Sequence, residues 1–404
     1  MNVADLPGME RVLPALDGLP PAYLVGGAVR DMLLGAESVD LDVALEGDAL
    51  AAAWELADRL GGRAMTHERF GTATVRAPGL AVDLATARRE RYRTPGALPD
   101  VELAAIDADL GRRDFAINAM AVALSDEERG RLLDPFGGRA DVKAGVVRVL
   151  HRHSFVDDPT RILRAVRYEA RLGFAMDHDT ESLATGALAD RVFDTMSSTR
   201  IGGELLLVLA ESRRREALAR LAALRVDRAL EPSLAFDPNL AGAAGRAAEV
   251  IDADPALAGL AALLLPEPDS LAGWLGGLGL DASARDRVLR AARAAPDLAA
   301  AVSGDDTLAQ SELHRLLAPE PLEALALAVA LGAGSEALAL FLDRLAGVRL
   351  EITGDDLVAA GIPPSPALGR ALDGTLRRKL DGEVAGREAE LRCALALARE
   401  EVGG

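Results

Sequence analysis

Leu24-Val25-Gly26-Gly27-Ala28-Val29-Arg30-Asp31, followed by Asp40-Leu41-Asp42-Val43-Ala44-Leu45, is the stretch whose reading decides the fold. A short apolar run entering Gly-Gly predicts a strand that turns directly into a helix. Such a turn presents backbone N–H groups, clear of side chains, at a positive helix N-terminus, which suits a triphosphate. Arg30 adds a charge-assisted fork one helical turn in. Taken alone, Gly26-Gly27 before a helix fits a plain tight turn equally well. Asp40 and Asp42 lie two apart, so on a strand both carboxylates share a face. Two like charges held together cost energy unless a cation sits between them. Mg²⁺ is the natural occupant, and paired metals roughly 3.5–4 Å apart serve in-line phosphoryl displacement. An isolated Asp-x-Asp reads as a solvated strand edge; behind a Gly-Gly-helix unit, the metal reading prevails.

Outward from this stretch, Ala22–Val25, Leu41–Leu45, Ala73–Val75 and Leu80–Leu84 read as strands, and Ala49–Leu60 as a helix ending at Gly61-Gly62. Asp83, inside Leu80-Ala81-Val82-Asp83-Leu84-Ala85, needs a partner. The metal pair supplies one, making Asp83 a third catalytic acid; a structural salt bridge stays open as the alternative. From about residue 154 strand signals nearly vanish, and Ala-Leu-Arg-Glu segments follow, punctuated by Pro232, Pro238, Pro255, Pro266, Pro296 and Pro319. The expected fold is α+β: a head of mixed sheet and helices over 1–150, a helical neck over 151–220, and a helical body and tail over 221–404. Half of the 404 residues are hydrophobic but only 3% aromatic, which favours Ala/Leu-rich helices. A net charge of −18 excludes a uniformly basic nucleic-acid coat, though a local arginine stripe remains compatible with RNA.

Two further arginine-rich segments carry chemistry. In Arg112-Arg113-Asp114-Phe115, Asn118 stands one helical turn beyond Asp114, so the two share a face beside Arg113. That trio can grip a ribose 2′-OH, which is both donor and acceptor; a helix-start ion pair is the bland alternative. In Asp157-Asp158-Pro159-Thr160-Arg161-Ile162-Leu163-Arg164-Ala165-Val166-Arg167, Pro159 suits the first helical position and Asp158 the N-cap. Arg161, Arg164, Arg167 and Arg171 then line one drifting face, and Gly173 can end the helix. Cytosine and adenine each present an exocyclic amine beside a ring nitrogen acceptor. One carboxylate and one guanidinium therefore accept C and A and reject U and G.

The strings LVGGAVRDMLLG, VDLDVALEG, VDLATARRE, RRDFAINAMA, LLDPFGGRADV and DDPTRILRAVRYEARLGF, in that order over residues 24–174, resemble the class II tRNA nucleotidyltransferases and bacterial poly(A) polymerases. The resemblance covers a little over a third of the chain. It implies a polymerase-β-like head followed by helical neck, body and tail. It further implies that Asp40 and Asp42 hold the catalytic Mg²⁺ ions, two in number, and that Gly26, Gly27, Arg30 and Arg112 meet the nucleotide. By the same resemblance Arg113, Asp114 and Asn118 take the ribose, and Asp158 with Arg161 templates the base beside Arg164 and Arg167. Asp157 departs from the family, where Glu is usual, which puts fine positioning and nucleotide choice in doubt. Arg88–Leu110, with Tyr92, Thr94, Pro95, Gly96 and Pro99, reads as a mobile loop where the family has its flexible loop.

The expected activity is addition of CMP and/or AMP, from CTP and ATP, to a tRNA 3′ end. A-adding, CC-adding and poly(A)-synthesising relatives are the alternatives, and a catalytically inactive RNA-binding module is the reading from another class. His151 and His153 have no third metal ligand in view and read as surface or RNA contact. Arg200, Arg213, Arg214 and Arg215 read equally as phosphate contacts or a solvated face, and Thr353, Asp355 and Asp356 as helix caps. Cys393, the single cysteine, reads as a packing residue and excludes an intramolecular disulfide. No signal peptide or spanning segment is visible, so the expected location is cytoplasmic, without membrane and with no obligate protein partner evident.

Overall fold

The computed structural model describes residues 2–403 apart from 36–39, 69–70, 92–93, 95, 97–98, 126 and 304–307, with side chains described to residue 400. The chain divides into two compact units, Met1–Pro232 and Ser233–Gly404.

The first unit opens with α1 (Met9–Ala15), β1 (Ala22–Val25), α2 (Gly27–Leu34), β2 (Leu41–Leu45) and α3 (Ala49–Leu60). Strands β3 (Arg63–His67), β4 (Thr72–Ala77) and β5 (Leu80–Thr86) follow, then β6 (Arg88–Arg91), β7 (Asp100–Leu103) and α4 (Ile106–Gly111). A 3₁₀ turn (Ala116–Asn118) leads to β8 (Ala121–Ala123), β9 (Leu132–Leu133), α5 (Gly138–Ala144) and β10 (Val146–Val147). The remainder is helical but for one two-residue strand: α6 (Ser154–Asp157), α7 (Thr160–Leu172), β11 (Ala175–Met176), α8 (His178–Ala189), α9 (Ser198–Ala210), α10 (Arg214–Ala223) and α11 (Val226–Leu230).

Seven strands form one mixed sheet in the order β3-β4-β5-β2-β1-β8-β9, with β2 and β5 parallel and the other pairs antiparallel. Alternation sets which face each side chain takes. Leu41, Val43, Val82, Leu84 and Val75 are buried on one face, while Asp42 and Asp83 point to the other. The helix α3 is anchored by Asp48, whose carboxylate caps Leu50 and Ala51, and ends at Gly61 in the left-handed region. Its Ala49, Ala53 and Leu56 are fully buried. On the acid-bearing side, Ile106 and Leu110 of α4 pack with Val25, Ala44 and Ala121. This small cluster seats α4 beside the acids.

The segment 88–110, expected as a loop, is instead the antiparallel hairpin β6–β7 followed by α4. Strand β6 is all charge, with Arg88 paired to Glu90 and Arg91 to Glu102 of β7, and β7 alternates Val101 and Leu103 over only four residues with both exposed. Tyr92 and Pro95, named in that reading, lie outside the described residues, as do Ser38 and Val39 ahead of Asp40.

The second unit contains α12 (Pro238–Val250), α13 (Pro255–Leu264), α14 (Ala272–Gly277), α15 (Ala282–Val302), α16 (Gln310–Leu317), α17 (Leu322–Ala330), α18 (Ser335–Leu340), α19 (Gly354–Ala359), α20 (Pro366–Leu380) and α21 (Arg387–Gly403). Pro238 and Pro255 open their helices behind capping Asp237 and Asp254. Pro296 breaks nothing: it lies inside α15, where buried Val288, Ala291, Ala292, Ala295 and Leu298 hold the helix across the lost N–H. Thr353 and Asp356 form a reciprocal capping box, as their spacing suggests.

Candidate functional site

The acids converge across the sheet. In the β2–β5 register Asp42 stands directly opposite Asp83, and in the β4–β5 register Asp83 stands opposite Thr74. Thr74 donates its hydroxyl to Asp83 Oδ1 at 2.5 Å. Asp40 immediately precedes β2, two residues from Asp42. Burial, then the neighbouring Asp83, raises the Asp42 carboxyl above its ordinary range; Arg113 opposes this and Asp40 adds to it. Hard oxygen donors that repel one another in this way fit a divalent cation. Among the described residues no set of three or more His, Cys, Asp or Glu closes on a metal position. A cation at the acid pair would therefore draw its remaining ligands from elsewhere.

The Gly-Gly turn sits next to this row. Gly26 has φ +70°, ψ −127°, a conformation that demands glycine, and its N–H donates to Met120 O at 3.2 Å. A Cβ at Gly26 would meet Arg113 Nη1 at 2.8 Å, so the guanidinium of Arg113 lies against the turn. Helix α2 starts at Gly27. Arg30, expected to meet the nucleotide with its fork, is buried: Nη1 donates to Asn118 Oδ1 at 2.7 Å, and Nε and Nη2 fork onto Asp31.

Asp114 and Asn118 do meet, Asn118 Nδ2 donating to Asp114 Oδ1 at 3.0 Å. They meet through a 3₁₀ turn rather than an α-helix, because Phe115 is extended and bridges to Val149. Arg113 does not complete the trio. The guanidinium at Asp114 belongs to Arg164, at 2.7 and 3.0 Å. Burial pushes the Asp114 carboxyl up, but Arg164 and Asn118 outweigh it and hold it below its ordinary value. Arg113 instead pairs with Asp109 at 2.9 Å, and Arg112 joins the same carboxylate at 2.7 Å.

Helix α7 carries Arg161 and Arg167 buried and Arg164 half-buried, while Arg171 in its last turn is exposed. Pro159 already has helical angles, and extended Asp158 caps the helix through Oδ1, which accepts from Thr160 N at 3.1 Å and Thr160 Oγ1 at 2.6 Å. Asp158 Oδ2 pairs with Arg200 of α9 at 3.0 Å. Arg161 does not touch Asp158 through its side chain; it donates to Ser154 Oγ at 2.7 Å and Arg112 O at 2.8 Å. Arg164 and Arg167 reach Glu204, and Arg171 reaches Glu211. Arg167 Nε is buried with no hydrogen-bond partner among the described residues. Arg30, Arg164 and Arg167 all lie within 5.4–5.8 Å of the Tyr168 ring.

Asp109, Glu204, Glu211 and Tyr168 belong to this site and had no role in the sequence expectations, and Arg200 joins them through Asp158. Two signals were present. Asp109 precedes Arg112 and Arg113 by three and four residues, the spacing of helical ion pairs. Glu204 and Glu211 recur two turns apart, matching the arginine stripe. Arg200, partly exposed, also donates to Gly96 O at 3.1 Å. Arg214 is buried and bonded to Leu209 O, whereas Arg215 is exposed beside Glu216. His151 lies 3.9 Å from Asp157 and not in a metal cluster. Cys393 is half-buried beside Arg378.

Residues 22–148 match the poly(A) polymerase head domain family. The chain is 36% identical over 397 residues to an A-adding tRNA nucleotidyltransferase of Geobacter sulfurreducens, covering 94% of this chain and 45% of that protein. It is 36% identical to an A-adding tRNA nucleotidyltransferase of Halalkalibacterium halodurans, covering 89% of this chain and 86% of that protein. Identity to a CC-adding tRNA nucleotidyltransferase of Deinococcus radiodurans is 32%, over 86% of this chain and 82% of that one. Among solved structures, a Thermotoga maritima CCA-adding enzyme complexed with tRNA matches with TM-score 0.74 and 31% identity over 96% of this chain and 94% of that one. A CCA-adding enzyme complexed with ATP matches with TM-score 0.80, and one complexed with CTP with 0.77, each 31% identical over 96% of this chain and 94% of theirs.

Proposed function

This chain belongs to the tRNA nucleotidyltransferase and poly(A) polymerase family, and from that premise we propose that it adds AMP and/or CMP, from ATP and CTP, to the 3′ end of tRNA. The observation that carries this reading is the registered row Asp42–Asp83 beside the Gly26 turn, with Arg164 of α7 joined through Asp114 and Asn118 to Arg30 of α2. In the reaction the terminal 3′-oxygen forms a bond to the α-phosphorus, the α–β phosphoanhydride breaks, and pyrophosphate leaves. Asp40 and Asp42 would hold Mg²⁺, which supplies charge neutralisation at the phosphates and lowers the pKa of the attacking hydroxyl. Asp83, beside Asp42, takes the hydroxyl proton. Gly26 and Gly27 leave room for the triphosphate at the start of α2, and Arg113 flanks it. Asp114 and Asn118 hold the ribose, and Asp158 with Arg161 reads the base edge.

AMP addition is the arm that the Geobacter and Halalkalibacterium relatives favour; full CCA addition is the second reading, supported by the likeness to CCA-adding structures. The test is extension of three tRNAs, ending before CCA, after C and after CC, with each NTP supplied separately. Extension of only the CC-ended tRNA by ATP identifies A-addition. Stepwise use of CTP then ATP on all three identifies CCA addition. Absence of extension on every tRNA overturns the enzymatic reading.

A further inference from the structure

Arg113 bears on two acidic groups, one that it contacts and one that its charge acts on. One is Asp109 on α4; the other is the acid row on β2 and β5. Its position is set by the first: Nη2 and Nε lie 2.9 and 3.3 Å from Asp109 Oδ2. Asp109 Oδ1 meanwhile accepts from Arg112 Nε at 2.8 Å and from the backbone N–H of Arg88 at 3.2 Å. Asp109 is 1% exposed. Its burial would push the carboxyl up, yet Arg112 and Arg113 hold it below its ordinary range. The far side of the Arg113 guanidinium abuts Gly26, and its charge is felt at Asp42.

We propose that Asp109 is a positioning residue that reserves Arg113, keeping this guanidinium against the Gly26 turn and out of an ion pair with Asp42, so that the acid row stays open to a divalent cation. Unequal burial decides the competition. Leaving Asp109 would give up an ion pair to a carboxylate in a nearly sealed position, which would keep only Arg112 and the Arg88 N–H as partners. Pairing with the acid row returns less, because Asp42 is only half-buried and Asp83 is exposed, where ion pairs are weakly rewarded. The same carboxylate fixes Arg112, whose carbonyl accepts from Arg161, and the start of hairpin β6–β7 through Arg88. One buried acid thus ties the hairpin, the Gly26 turn and the base-reading helix to a single point.

This inference rests on the reading of Asp40 and Asp42 as cation ligands, and Mn²⁺ serves as the probe. Binding to the full chain, without nucleotide, is followed by the electron paramagnetic resonance signal of free Mn²⁺. Asp109→Asn frees Arg113 to reach Asp42, and Mn²⁺ affinity is expected to fall about tenfold. The double variant Asp109→Asn/Arg113→Ala is expected to bind Mn²⁺ within about twofold of the wild type, since the competitor is gone. A merely structural role for Asp109 leaves the double variant as weak as the single one, which overturns the proposal, as does unchanged binding by Asp109→Asn. Should Asp109→Asn not fold, Arg113→Ala alone decides. A change within about twofold means Arg113 was already reserved, whereas a tightening of about tenfold means it was occupying Asp42 and overturns the proposal. Mn²⁺ binding that Asp42→Ala leaves unaltered overturns the cation reading itself, a result distinct from any pattern at Asp109.

Discussion

On β2 and β5, Asp42 faces Asp83 directly, and burial plus that neighbour keep the Asp42 carboxyl above its usual range. On α7 the arginines are just as crowded, yet Arg161, Arg164 and Arg167 each reach an oxygen acceptor of the protein. Like charges left to repel one another mark a place for a mobile counter-ion. Like charges answered from within mark groups placed in advance, whose partners a ligand must replace or share. The first arrangement costs stability in the absence of cation; the second costs little until a partner is removed.

The comparison breaks most sharply at Asp42. Asp42→Ala is expected to lower tRNA extension by about a thousandfold, several kcal/mol of transition-state stabilisation, with folding retained. Extension near the wild-type rate at saturating Mg²⁺ would show that the acid row is not the reacting centre. On α7 the largest effect is on folding. Arg164→Ala leaves Asp114 buried and without its guanidinium, and is expected to cost about 3 kcal/mol in denaturant unfolding. The sign with pH follows from the lowered Asp114 carboxyl. The pair's stabilisation is present above the ordinary carboxyl pKa and is lost as pH falls through the lowered value. The wild-type advantage over Arg164→Ala should therefore shrink on acidification; a difference constant from neutral to strongly acidic pH contradicts the buried pair.

Arg200→Ala sharpens the comparison at the start of α7. It removes the counter-charge of Asp158 and the donor to Gly96 O, and Arg200 is partly exposed, so the stability cost is expected below about 1 kcal/mol. Selection of C and A over U and G should fall about tenfold in kcat/KM ratios. Unchanged ratios would reduce the Arg200–Asp158 pair to a surface contact. The smallest effect is again at the acid row. Asp42→Asn relieves repulsion with Asp83 and should raise the Tm in EDTA, by less than about 1 kcal/mol of added stability. A lowered Tm would mean the row is not under repulsion.

The sequence made the central sheet legible because its cues are local. The apolar runs 22–25 and 41–45 and the Gly61 stop of α3 coincide with the observed elements. In the hairpin β6–β7 the first strand is all charge and the alternating Val101 and Leu103 of the second span only four residues, so it passed for a loop. The acids were legible by their spacing of two, and Asp83 by its apolar frame. Partner choice was not. Arg113 to Asp109, Arg164 to Asp114 and Arg200 to Asp158 are decided by burial and by the packing of helices distant in sequence, and no motif carries that information. The helical motif expected for Asp114 and Asn118 failed for a related reason. The bridge from Phe115 to Val149 overrides local helix spacing.

The central claim is that a tRNA nucleotidyltransferase site in this chain chooses its nucleotide by a protein edge, Asp158 with Arg161. Its most direct measurement is a competition of all four NTPs on one tRNA, ended at CC, for the wild type, Asp158→Ala and Arg161→Ala. The expected result is use of ATP and/or CTP alone by the wild type. Each variant should lose roughly 1–3 kcal/mol of discrimination against UTP and GTP, beyond any general loss of rate. Variants that slow every nucleotide equally and leave the ratios unchanged would contradict it, and would return Asp158 to a helix cap and Arg161 to a structural tie between Ser154 and Arg112.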